Sequence, residues 1–196
     1  MHIGIPREVK PQETRVACTP SGVRHLVSVG HRVVVQCGAG VASGFSDDRY
    51  RRAGAVMTRS AEKVWQSELV VKVGEPVEAE YGFFRKELIL LTFLHLAGNR
   101  GLSCALLDAG VTAIACEAVQ DGGGRRPILA PMSEIAGMMS VLIGAHYLAR
   151  QHGGAGILPG RVPGLLPAKI VVLGRGFGRN PGCKGGGGVR GRCDGA

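Results

Sequence analysis

The chain has 196 residues, of which 45% are hydrophobic and 20% are charged, and its net charge is +9. This length is enough for one sizeable domain and part of another, and the composition excludes general disorder. No apolar run is long enough to cross a bilayer, and the N-terminus lacks the apolar segment of a signal peptide. We therefore predict a cytoplasmic protein that does not bind a membrane.

Neither the charge nor the cysteines indicate nucleic acid or a metal ion as a partner. The positive excess is concentrated in residues 175–196, which contain five Lys or Arg and one Asp but no aromatic residue beyond Phe177. The six cysteines form no CxxC pair. Their scattered spacing is typical of reduced thiols. We predict no nucleic-acid binding and no metal site.

Short apolar or β-branched runs alternate with helical segments along the chain. Thr19 and Pro20 mark one helix start as N-cap and first helical residue, and Gly30 marks the end of that helix. The predicted strands are 2–5, 33–36, 55–57, 69–73, 88–91 and 111–115; the predicted helices are 20–29, 46–53, 60–67, 101–109 and 133–150. This alternation predicts an α/β fold, a Rossmann-like parallel sheet with flanking helices.

His95 is the first candidate for chemistry. It follows the apolar run 88–91, which is typical of a strand buried on both faces of a parallel sheet. Ligands of open α/β sheets bind beyond the carboxyl ends of the strands, and an imidazole exchanges protons near neutral pH. By position alone, a structural histidine at a strand end is the favoured alternative.

The second half of the chain indicates a connection to another domain. The predicted helix 133–150 is apolar over more than half its surface, so we expect it to be buried between two lobes. Residues 151–167 are rich in Gly and Pro and are interpreted as a linker. The strand 169–173 runs into Gly174 and Gly176, as at the entry to a dinucleotide-binding unit, where glycines allow close approach to pyrophosphate.

Several stretches of the chain match one known family, and they occur in order at 3–8, 13–17, 19–20, 38–40, 72–73 with 75–76, 92–97, 131–137 and 167–174. The segment Thr92-Phe-Leu-His-Leu-Ala97 is the most specific of them. On these residues the chain resembles the bacterial alanine dehydrogenases, which belong to the same superfamily as the transhydrogenase alpha chain. The transhydrogenase branch has a different sequence at 92–97, so a transhydrogenase-like fragment is the less favoured alternative.

This resemblance implies NAD-dependent oxidative deamination of L-alanine to pyruvate and ammonia, in a reversible reaction. Arg15 would bind the substrate carboxylate, and His95 would polarise the substrate and transfer a proton. It also implies a homo-oligomer, commonly a hexamer. The family carries a second lysine where this chain has Gly74, so Lys72 is the remaining candidate lysine for the carboxylate. It lies roughly 6–7 Å back along the strand.

The same resemblance implies which residues contact NAD. Met132 and Ser133 would line the nicotinamide side of the cleft, and Gly174 and Gly176 would approach the pyrophosphate. The alternative for Ser133 is a helix N-cap, and one serine could serve both roles.

The family continues well beyond Gly176, with an NAD-binding domain that this sequence does not match. We therefore expect little or no turnover, and an alternative is a non-catalytic remnant from a frameshifted pseudogene. The predicted parts are a substrate domain (1–132), a connecting helix (133–150), a linker (151–167), the first strand of an incomplete NAD-binding Rossmann domain (168–178) and a disordered Gly/Arg-rich tail (179–196).

Overall fold

In the computed structural model, residues 1–160 and 163–164 are described, and they belong to two units. The first unit, Met1–Val119, contains a sheet of six parallel strands. These are β1 (His2–Ile5), β2 (Arg32–Gln36), β3 (Val56–Thr58), β4 (Leu69–Val71), β5 (Ile89–Thr92) and β6 (Thr112–Ala115), in the order β3-β2-β1-β4-β5-β6. The predicted α/β class with a parallel sheet is confirmed; the predicted strand 169–173 lies outside the described residues.

Four helices flank this sheet, and their ends follow local signals. They are α1 (Pro20–Ser28), α2 (Asp47–Arg52), α3 (Ala61–Trp65) and α4 (Arg100–Asp108). As predicted, Thr19 caps α1, with its hydroxyl accepting the Gly22 N–H at 3.3 Å. Gly30 follows α1 with φ +90°, a conformation that glycine adopts without strain.

The core consists of two clusters on opposite faces of the sheet. Odd-numbered residues of β1 and β2, including Ile3 and Val33, pack with Val23 and Tyr50 from α1 and α2. Gly4 lies between Ile3 and Ile5 in β1, so it faces the opposite side of the sheet from them. Val70 is the partner of Gly4 in the β1–β4 register and faces that opposite side too. The second cluster there contains Trp65, Val70, Leu88, Leu90, Leu94, Leu102 and Leu106. The helices therefore cover both faces, as in a doubly wound sheet.

Gly4 marks the closest approach of α3 to the sheet, and alanine there should destabilise the protein. A Cβ atom at Gly4 would lie 2.3 Å from the backbone oxygen of Val64 and 2.8 Å from the Ser67 hydroxyl. We expect Gly4→Ala to lower the free energy of unfolding by about 1–3 kcal/mol. Urea denaturation measures this loss. Gly82→Ala is the matched control, because no atom lies within 4 Å of its Cβ position. An equal loss of unfolding free energy in Gly4→Ala and Gly82→Ala would refute the close contact of α3 with Gly4.

The second unit begins at Gln120 and contains the long helix α5 (Ala130–Leu148). The predicted start at Ser133 is wrong, because the helix begins at Ala130 and the Ser133 N–H already donates to the Leu129 carbonyl. Pro131 fits in the first turn, where backbone N–H groups have no partner within the helix. Ser133 is therefore a first-turn residue and not an N-cap.

The expectation that α5 is buried is also wrong, because none of its residues is buried. Its side chains are apolar on every side, and such a helix needs several neighbouring elements to cover it. Large exposed side chains on it are Ile135, Met138, Met139, Leu142, Ile143 and Tyr147. Among the described residues, no helix has the length and apolar character that a membrane span requires.

Candidate functional site

The strand order reverses between β1 and β4, which lie side by side at the centre of the sheet. In open α/β sheets this reversal opens a crevice beyond the carboxyl ends of the two strands, where ligands bind. The chain leaves β1 through residues 6–19 and leaves β4 through residues 72–77. Both segments are rich in charged residues, and their contacts define the candidate site.

Lys72 is the buried centre of this crevice. Its side chain is 0% exposed, and its ammonium lies 2.6 Å from Glu80 Oε1 and 3.4 Å from Glu8 Oε2. Each carboxylate also accepts a backbone N–H: Glu8 from Val73 at 2.7 Å, and Glu80 from Val77 at 3.1 Å. Lys72 therefore ties the segment after β1 to the segment after β4. A substrate carboxylate could reach it only by displacing one of these partners.

Burial disfavours the charged form of Glu8. Its side chain is 4% exposed, and Oε2 accepts no hydrogen bond from the described residues. Burial raises the pKa of Glu8, against the opposing effects of Lys72 and the Val73 N–H. Two buried carboxylates share one ammonium, so the cluster has an excess of negative charge that burial penalises.

Gly74 leaves a space that Lys10 covers. A Cβ atom at Gly74 would lie 3.5 Å from Lys10 Cδ, 3.5 Å from Glu8 Oε2 and 3.9 Å from Glu13 Cγ. The Lys10 ammonium continues to Glu75 Oε1 at 2.6 Å. Lys10, from the loop after β1, thus lies over Gly74, which follows β4 and has no side chain.

Arg15, the predicted ligand of the substrate carboxylate, forms a planar two-point contact with an internal carboxylate, that of Glu13. Its Nε donates to Glu13 Oε1 at 2.8 Å, and its Nη2 donates to Oε2 at 2.6 Å. The hydrogen bond from Arg15 is the largest influence on the pKa of Glu13 and lowers it. The Arg15 side chain is about half exposed, so this two-point contact is accessible to an incoming carboxylate.

His95 lies beyond the carboxyl end of β5 in a fixed backbone conformation. Its φ of 47° is in the left-handed region, which a non-glycine residue adopts only when its surroundings hold it. The Glu117 carboxylate accepts the N–H groups of His95 at 2.9 Å and Leu94 at 3.2 Å. The imidazole stacks on Phe93 and is exposed. This arrangement presents the ring to solvent at the edge where ligands bind.

Glu75 pairs with Lys10 from the loop after β1 and lies near enough to His95 for an electrostatic effect. Burial alone would raise the pKa of Glu75, but the hydrogen bond from Lys10 and the charges of Lys10 and His95 bring it below its ordinary value. The charge of Lys10 also lowers the pKa of Glu13. Arg15, Lys72 and His95, predicted separately, thus lie along one edge of the first unit. Sequence reasoning missed the carboxylates that hold them.

The predicted NAD contacts are in other parts of the chain. Met132 and Ser133 belong to the second unit, where both are half-buried in the first turn of α5. Gly174 and Gly176, like the predicted tail 179–196, lie outside the described residues. The described cysteines, Cys18, Cys37, Cys104 and Cys116, are free thiols.

Comparison with known proteins identifies the family. The model of "Alanine dehydrogenase/PNT, N-terminal domain" matches residues 4–136, and that of the C-terminal domain matches residues 140–179. The alanine dehydrogenase of Mycolicibacterium smegmatis is 49% identical over 90% of this chain and 48% of its own length. That of Bacillus subtilis is 50% identical over 90% of this chain and 46% of its own length.

Solved structures agree with this match. An L-alanine dehydrogenase superposes with a TM-score of 0.84 at 48% identity, over 94% of this chain and 51% of that chain. A transhydrogenase from Sinorhizobium meliloti gives 0.71 at 29% identity, over 90% of this chain and 53% of that one. The chain spans about half the length of the curated relatives that it matches. The chain therefore belongs to the alanine dehydrogenase/PNT family.

Proposed function

We propose that this chain supplies the substrate-binding part of an NAD-dependent oxidoreductase that converts L-alanine to pyruvate and ammonia, and the reverse. One observation supports the proposal: Arg15 follows β1 and His95 follows β5, so the proposed carboxylate ligand and the proposed proton carrier both lie beyond the carboxyl ends of strands in one parallel sheet. The family match supports it, because the curated relatives at about 50% identity are alanine dehydrogenases.

In this proposal Arg15 exchanges Glu13 for the substrate carboxylate. The guanidinium keeps the same planar geometry, so the exchange replaces one charge-assisted pair with another. In the direction of amination, ammonia adds to the carbonyl carbon of pyruvate, and His95 donates a proton to the carbonyl oxygen, which leaves as water. In the reverse direction, His95 accepts a proton from the water that attacks the iminium carbon, and ammonia is released. Met132, Ser133, Gly174 and Gly176 are the proposed contacts of NAD, which would supply the hydride acceptor.

Lys72 enters the proposal through the loops that it holds. Its ammonium neutralises part of the charge of Glu8 and Glu80 and so keeps the segments after β1 and β4 together. Direct contact between Lys72 and the substrate stays a prediction, and it requires one carboxylate to release the ammonium.

Arg15→Met should weaken pyruvate binding by about ten- to a hundredfold. Loss of a hydrogen bond to a charged group costs about 1.5–3 kcal/mol, which corresponds to that range of dissociation constants. Titrations followed by NMR on the 196-residue chain measure the affinity. Arg24→Met is the control, because Arg24 is exposed on α1. The proposal fails if the wild-type chain does not bind pyruvate, or if both variants bind as the wild type does.

Turnover by the purified chain is a separate question. We expect little NADH formation from L-alanine and NAD, and absorbance of the reduced nicotinamide measures it. Robust turnover by the 196-residue chain would contradict this expectation while leaving the assigned substrate intact.

A homo-oligomer is also proposed, with α5 as its contact surface. The support is the exposure of its large apolar side chains, since a patch of this kind usually marks an interface. Light scattering coupled to size exclusion should show more than one copy. Leu142→Glu should reduce the number of copies, and an unchanged mass would argue against α5 as the interface.

A further inference from the structure

We propose that Lys10 is a second ligand for the substrate carboxylate, beside Arg15. The inference rests on the proposed function and adds a residue to the same site. Lys10 lies in the segment that leaves β1, at the crevice where the strand order reverses. Four observations support it: the position of its aliphatic stem, the partial exposure of its side chain, its partner Glu75 and the burial of Lys72 between two carboxylates.

The stem of Lys10 is positioned by Gly74. Because Gly74 has no side chain, Lys10 Cδ comes within 3.5 Å of the place where a Cβ would be. Gly74 itself is buried, and its carbonyl accepts the Thr92 hydroxyl at 2.9 Å, which fixes this backbone to β5. Aliphatic carbons of lysine often lie on buried surface while the ammonium stays in solvent. The absence of a side chain at Gly74 therefore lets the aliphatic stem of Lys10 lie across the carboxyl end of β4.

The Lys10 ammonium is available to a ligand. The side chain is 41% exposed, and within the described residues its hydrogen bond goes to Glu75 Oε1. An ammonium has three donors, so it can bind a second anion without leaving the first. Lys72 differs in each respect, since it is fully buried between two carboxylates. Lys10 is therefore the lysine of this edge that a substrate can reach without breaking a buried ion pair.

Glu75 holds the Lys10 ammonium on the segment that leaves β4, and β4 is the neighbour of β5, the strand that His95 follows. Both Lys10 and His95 lie close enough to Glu75 for their charges to act on it. The Lys10 charge also acts on Glu13, the partner of Arg15. A small 2-oxo acid has its carboxylate next to its carbonyl, and β1, β4 and β5 are adjacent strands. A carboxylate bound by Arg15 and Lys10 would therefore leave the carbonyl group for His95.

The test measures pyruvate affinity of the 196-residue chain by NMR titration. Lys10→Met keeps the aliphatic stem over Gly74 and removes the charge, and it should weaken binding about tenfold. Lys63→Met is the matched control, because Lys63 is an exposed lysine of α3, away from this crevice. This variant should bind pyruvate with the wild-type affinity.

A rescue variant distinguishes a lost ligand from a disturbed loop. A Cβ atom at Gly74 would meet its neighbours at ordinary contact distance, so this backbone accepts a side chain. Gly74→Lys in the Lys10→Met background should therefore recover most of the affinity. Wild-type affinity in Lys10→Met, together with weakened binding in Arg15→Met, would overturn the role of Lys10 and leave the proposed function standing. Failure of rescue would assign the effect to loop structure and overturn the ligand role. Absence of pyruvate binding in the wild type would overturn both proposals.

Discussion

Replacing Lys72 with methionine should lower the free energy of unfolding by about 3–5 kcal/mol, because it leaves buried carboxylates without their counter-ion. The Lys72 ammonium is the cation that Glu8 and Glu80 share, and neither carboxylate can turn to solvent without separating the segments after β1 and β4. Methionine fills a similar volume, so the loss comes from charge and not from a cavity.

Urea denaturation near neutral pH measures this loss, and Lys10→Met is the matched control. The Lys10 pair is partly exposed, and exposed pairs contribute about 0–1 kcal/mol. Losses of similar size in the two variants would contradict the buried charge cluster.

The penalty in Lys72→Met should also shrink in acid. Burial raises the pKa of Glu8 above its ordinary 4.5 in the folded protein, so protonation of Glu8 favours the folded state at low pH. Lys72 opposes this shift, so its removal should raise the pKa further, and acid should stabilise the variant more than the wild type. This stabilisation is present below pH 4.5 and is lost as the pH rises through the raised value. A penalty independent of pH would mean that packing, and not charge, explains the loss.

Glu117→Ala should release the backbone of His95. It removes the acceptor shared by the Leu94 and His95 N–H groups, at an expected cost of about 1.5–3 kcal/mol. Burial tends to raise the pKa of Glu117, but the backbone donors and the His95 charge lower it overall. Its stabilisation is therefore present above pH 4.5 and is lost as the pH falls through its lowered pKa.

Hydrogen exchange at the Leu94 and His95 amides measures this tether. Both amides should exchange faster in Glu117→Ala, and pyruvate affinity should fall with them. Glu117→Gln keeps an acceptor and should lose less, while Glu62→Ala on the exposed face of α3 should leave both amides unchanged. Unchanged exchange in Glu117→Ala would show that the left-handed conformation of His95 does not depend on this carboxylate.

Within the described residues, the sequence was sufficient to predict the six strands and most helix boundaries, because these depend on neighbouring residues. Leu88 and Leu90 are fully buried, as the apolar run predicts, and Thr19 caps α1 as its residue type predicts. The start of α5 was missed because Ser133 resembles an N-cap, whereas the first turn accommodates Pro131. Local patterns did not determine which of these two signals starts the helix.

The partners within the site could not be predicted in the same way. Glu8 and Lys72 are 64 positions apart, and they meet only because β1 and β4 are neighbours in the sheet. A parallel sheet was expected, but apolar patterns carry no information on strand order. The role of Lys10 likewise depends on its lying over Gly74, a contact between two segments that the sequence presents separately.

A crystal structure of this chain with pyruvate tests the central claim most directly. We expect the pyruvate carboxylate within hydrogen-bonding distance of the Arg15 guanidinium and the Lys10 ammonium, with the carbonyl oxygen facing the His95 imidazole. Pyruvate bound away from the carboxyl ends of β1, β4 and β5, or bound there without contact to Arg15, would contradict it.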